Sequence, residues 1–186
     1  MFEGWGEFYL LIGGASGALI GLLFVVTTLS AGMHIGAETL SRGAAFYMTP
    51  TLFHFVTVLV ISALAAVPGV SGFWAALVLG PWSLAGAIYS AVMGVAMRKN
   101  RLPSSGDWAD VFGYGILPAL MYLALIASAW LAWRGAEQAP YAMAIGLTVL
   151  LVIGIRNAWD LVTFIAPRAV DDAQDPANAE GGGPAG

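Results

Sequence analysis

The sequence has no cysteine and very little charge. Lack of cysteine excludes disulfides, thiolate metal sites, thiol catalysis and covalently attached haem. Charged residues make up only 10% of the 186 positions, whereas a soluble surface carries roughly a quarter or more. A soluble enzyme of ordinary composition is therefore excluded. Seven basic against eleven acidic residues give a net charge of −4, the wrong sign for a nucleic-acid surface. No HExxH motif, Gly-rich phosphate loop or convincing Ser-His-Asp arrangement occurs either. No enzymatic activity and no cofactor are expected.

What is abundant is apolar sequence. Hydrophobic residues reach 59% and the mean hydropathy is +0.81. A bilayer core of about 30 Å needs about 20 helical residues. Five runs are long enough: Phe8 to Ser30, Phe46 to Val67, Gly72 to Met97, Ala109 to Trp133 and Tyr141 to Ala166. None alternates with period two, so a membrane β-barrel does not fit. Helices satisfy their own backbone groups in lipid. The expected fold is all-α, an integral membrane bundle of five transmembrane helices in one domain, residues 1–168. The second run is the one that could instead be re-entrant, because Pro50 sits near its start. The tail, residues 169–186, is acidic and rich in Gly, Pro and Ala, a composition expected to be disordered.

Basic residues orient the bundle. Arg42, Arg98, Lys99, Arg101 and Arg168 fall on one side of a five-span topology, and Arg134 alone on the other. The positive-inside rule then places the N-terminus outside and the C-terminus in the cytoplasm. Trp5, Trp74, Trp130 and Trp133 would lie near the outer surface and Trp108 near the inner one. The expected location is a cell membrane, taken as a bacterial inner membrane, crossed several times.

Two charges fall inside a span, Arg156 and Asp160. A charge at the bilayer centre costs at least ~2.5–3.5 kcal/mol. Spacing i,i+4 lets the two pair on one helix face, so that face should look inward. At 1.5 Å per residue, Arg156 lies about 15 Å from Ala166, and His54 and Tyr89 lie about 12 Å from the same surface. One buried cluster is expected: Arg156, Asn157, Asp160, His54 and Tyr89, with Thr27, Thr28 and Tyr114 at its rim. Arg156 would attract anions, and Asp160 and His54 would relay protons, since histidine titrates near neutral pH. The same residues also read as a structural ion pair that fixes helix register.

Gly13, Gly17 and Gly21 form a small-residue row on the first span, which permits close helix packing. That row suits either a homo-oligomer interface or packing within one chain. Pro81 and Pro118 should kink their helices. His34 and Glu38 share a spacing that could touch a divalent ion, but two ligands are too few for a specific site; no metal is expected. The expected function is a small homo-oligomeric channel or transporter-like protein with a polar site on the fifth helix. The alternative is a non-transporting accessory or scaffold subunit of a larger membrane complex. Expected partners are the lipid bilayer, further copies of the chain or that complex.

Overall fold

The computed structural model describes residues 2–31, 48–100 and 111–174, with side chains at 2–29, 48–99 and 111–163. Every regular element among them is helical. The order is α1 (Gly6–Ala31), α2 (Thr49–Ala65), α3 (Gly72–Asn100), a π-helical turn (Phe112–Ile116) leading into α4 (Leu117–Trp133), and α5 (Ala139–Gln174). Glu38, His34, Arg42, Arg101 and Trp108 lie outside the described residues, as do residues 175–186.

Among the described residues four segments are long and apolar enough to cross a membrane: Gly6–Leu29, Gly72–Lys99, Phe112–Trp133 and Ala139–Thr163. The second run of the sequence forms the shorter α2, of 17 residues, about 25 Å long. Nine of its residues are buried. Pro50 stands in its first turn, where a missing N–H removes no helical bond. The last helix does not end at Pro167-Arg168 as its sequence suggests but continues to Gln174. A proline deletes one backbone hydrogen bond and can bend a helix without stopping it. Pro118 stands two residues after the π-helical turn, at the second position of α4. It has no N–H for the carbonyl four residues back, and the wider turn, closed by Leu117 N–H on the Phe112 carbonyl, takes up the mismatch.

Helix α5 is the hub. It packs on α4, α2 and α1, while α3 packs chiefly on α4 and α1 on α2. Its inward stripe is Leu147, Leu150, Gly154, Asn157 and Leu161, and the four that carry side chains are at most 1% exposed. That spacing is a seven-residue repeat, the seam of closely packed antiparallel helices.

The two ends of the bundle differ. At one end the Tyr9 hydroxyl donates to the Pro140 carbonyl at 2.9 Å, and Trp5 meets Tyr141 edge-to-face. Ser128 donates to the Ala139 carbonyl, tying α4 to the start of α5. The α4–α5 turn needs Gly135, at φ +70°, a conformation other residues adopt only with strain. At the other end Leu23, Met97, Tyr114 and Leu161 pack together with Met48, Leu52 and Met93, beside Arg98 and Lys99 in the last turn of α3. These are called the aromatic and the basic end below.

Glycines set the helix separations. A Cβ on Gly13 would lie 3.1 Å from Ser62 Cβ, and one on Gly17 3.9 Å from Leu59 Cδ1. Two members of the small-residue row therefore seat α1 on α2 within the chain, whereas Gly21 faces open space.

Candidate functional site

A hydrogen-bonded network occupies the core between α2, α3 and α4. Tyr122 reaches it because its ring lies against Gly86, where any side chain would overlap it. Its hydroxyl stands 3.0 Å from His54 Nδ1 and 3.1 Å from Thr57 Oγ1. Thr57 donates to the Phe53 carbonyl at 2.8 Å, and Trp82 Nε1 donates to Thr57 Oγ1 at 3.0 Å. The Phe53 ring stacks on Trp82 and packs against Tyr89 and Tyr122.

Proton counting fixes the directions. Each hydroxyl has one hydrogen. Thr57 gives its hydrogen to Phe53, so Tyr122 must donate to Thr57. The Tyr122 oxygen can then meet His54 only as an acceptor, so Nδ1 of His54 carries the hydrogen. Nε2 is left as a bare lone pair, and His54 is 1% exposed with no partner on that atom. This tautomer is assigned from the network rather than seen.

His54 Nε2 is not alone. Asn157 is fully buried and both of its amide atoms lack a partner. The same holds for the side-chain oxygens of Tyr89, Ser62, Ser83 and Ser90. Buried polar groups are nearly always paired, and each orphan costs about 1–3 kcal/mol. The set is spread over α2, α3 and α5. His54 directly precedes Phe55, whose ring rests on Gly154, and Asn157 lies one turn beyond that glycine. The orphans on α2 and α5 thus flank one helix contact.

Arg156 and Asp160 stand apart from this core. Their side chains are 46% and 31% exposed, with Nη2 and Oδ2 3.9 Å apart. The Arg156 guanidinium lies over Gly113 of the π-helical turn, in space a Cβ would fill. Tyr114 shares its one hydroxyl hydrogen between Asp160 Oδ2 and the Asn157 carbonyl, each at 3.3 Å. The one buried cluster expected from the sequence is therefore two groups. Asn157, His54 and the hydroxyl of Tyr89 are interior; Arg156 and Asp160 lie on the flank. The reason is helical rotation. Asn157 belongs to the inward stripe of α5, and Arg156, one residue earlier, is turned away by about 100°. Reaching toward Asp160, the arginine also points to the basic end, as long cationic side chains in lipid do. Thr27 donates to the Leu23 carbonyl and contacts Met48 Sδ, and Thr28 is exposed; neither joins the network.

A consequence can be tested. Removing both charges, Arg156→Gln with Asp160→Asn, should leave more folded protein in the membrane than either change alone. A single change strands one charge at the flank of the bundle. Yield and thermal midpoint of the three variants in one detergent measure it; additive losses would show that the charges do not act as a pair.

The sequence reading missed Tyr122, Thr57 and Trp82. Polar aromatics and threonines are common in apolar spans, and the signal that singles them out is Gly86, four residues after Trp82. Among the described residues no group of His, Asp and Glu could hold a metal ion. Comparison with known proteins finds no matching family model, no similar curated protein and no similar solved structure.

Proposed function

We propose that this membrane-embedded helical bundle is a channel or transporter-like protein for a small hydrogen-bonding solute, with His54 and Asn157 at the interior site. The observation that carries the reading is the buried lone pair on His54 Nε2, held in place by Tyr122 and left without a donor. Asn157 supplies two free donor hydrogens and an acceptor. A water molecule, a proton in transit or a small neutral amide matches that combination. An anion does not, because Arg156, the charged donor that α5 carries among the residues described with side chains, is on the flank.

The topology that goes with this reading is five crossings with the N-terminus outside. Helix α2 supports the fifth crossing: its start packs at the basic end through Met48 and Leu52, and Ala65 at its far end joins the cluster holding Phe2 and Tyr9. Arg98 and Lys99 would face the cytoplasm. Self-association belongs to the same proposal, through the lipid-facing side of α1, where Leu10, Leu11 and Leu22 are exposed and Gly21 is open.

The accessory-subunit reading has its own observation. The half-exposed Arg156–Asp160 pair sits beside exposed Ile155 and Trp159 on the flank of α5, where a partner helix with a polar group could reach it.

Flux into liposomes separates the two. Purified protein is reconstituted, proton entry is read by a trapped pH dye, and water and urea entry by light scattering. His54→Asn keeps an amide N–H where Nδ1–H stood and removes the Nε2 lone pair. Flux above empty vesicles in wild type, falling about tenfold in His54→Asn for the loss of one hydrogen bond, is the expected result. No flux of any of the three from folded wild-type protein would discard the transport reading in favour of the flank.

A further inference from the structure

Helices α3 and α4 leave an apolar groove between them at the aromatic end. It is an open groove of about 370 Å³, lined by Phe73, Leu77 and Pro81 of α3, Trp130 and Trp133 of α4, and a floor of small residues that includes Gly80 and Ala129. The floor is low because Gly80 and Ala129 carry little or no side chain, and a Cβ on Gly80 would meet Ala129 Cβ at 4.0 Å. The walls are tall because Phe73, Leu77, Trp130 and Trp133 are all more than half exposed and stand away from the bundle. The volume lies within the range of ligand pockets.

We propose that this groove holds one acyl chain of a phospholipid, with the lipid phosphate on Arg134. Length decides between a lipid chain and a partner helix. From Phe73 to Pro81 the groove runs about 12 Å, less than one leaflet of a 30 Å hydrocarbon core. A transmembrane helix would need contact along both leaflets, whereas a chain anchored at the headgroup level needs only one. Charge completes the match. Arg134 caps the end of α4, one residue beyond Trp133, with its guanidinium carbon 5.1 Å from the centre of the Trp130 ring. The indole holds the cation over the groove mouth. Among the described residues no carboxylate pairs with it, so its fork of N–H donors is free for a phosphate diester. Tryptophan and arginine at one level also mark the membrane interface. The groove is separate from the His54 network and does not depend on how that network is used.

The test uses the whole chain, delipidated in detergent and titrated with phosphatidylglycerol dibrominated in its acyl chains. Bromine quenches tryptophan on contact. The expected result is saturable quenching, with one lipid retained per protein by native mass spectrometry. It should be lost when Trp130 and Trp133 are both changed to Phe. Arg134→Gln lies beyond the helix end, so its fold is safe, and it should weaken binding about tenfold. Ala76→Leu, which fills the floor, should abolish it. Equal quenching by dibrominated diacylglycerol, which has no phosphate, would overturn the proposal. So would affinity unchanged in Arg134→Gln, or a dimer whose contacts map to Trp130 and Trp133.

Discussion

Gly115→Val is expected to abolish the fold. A Cβ at Gly115 would stand 2.6 Å from the Gly94 Cα, and one at Gly94 would stand 3.0 Å from the Gly115 Cα. Here backbone touches backbone, so no side-chain rotation can make room. The π-helical turn and α3 must separate, and Tyr114, Met93 and Met97 lose their packing at the basic end. Overpacking of an ordinary core costs about 1–3 kcal/mol; a branched side chain against rigid backbone belongs at or above the top of that range. The measurement is monodisperse protein recovered in detergent, with its thermal midpoint. Gly21→Ala serves as the contrast. Nothing lies within 4 Å of a Cβ there, and alanine favours a helix by ~1 kcal/mol over glycine. That variant should be as stable as wild type or more so. A Gly115→Val protein that folds with an unchanged midpoint would refute the close approach of the π-helical turn to α3.

Tyr122→Phe and Tyr89→Phe remove the same atom and are expected to act in opposite directions. At Tyr122 the hydroxyl takes the His54 Nδ1–H and donates to Thr57. Removing it strands a buried donor on His54, at about 1–3 kcal/mol. At Tyr89 the hydroxyl is buried with no partner, so its loss removes a desolvated polar atom and should be neutral or stabilising. Thermal unfolding in one detergent compares them, and equal midpoints would refute the stabilising role of the Tyr122 hydrogen bonds. Flux adds a second readout. Tyr122→Phe frees His54 to turn, so solute movement should fall with it.

The sequence carried the membrane class, the helix runs and most of their ends, because hydropathy is a property of consecutive residues and lipid selects on it directly. The π-helical turn had a local cause as well, in Pro118. It also picked out His54 and Asn157, since polar side chains in apolar runs are few. It could not tell that Asn157 looks inward while Arg156 does not. In a helix that is apolar all round, no polar face announces the rotation. The heptad Leu147, Leu150, Gly154, Asn157 and Leu161 was there to be read, but the ion pair is the louder signal. Nor could it pair His54 with Tyr122, 68 residues away. Only packing decided that, because Gly86 leaves room on α3 for the Tyr122 ring, and such room exists between helices, not along any one of them.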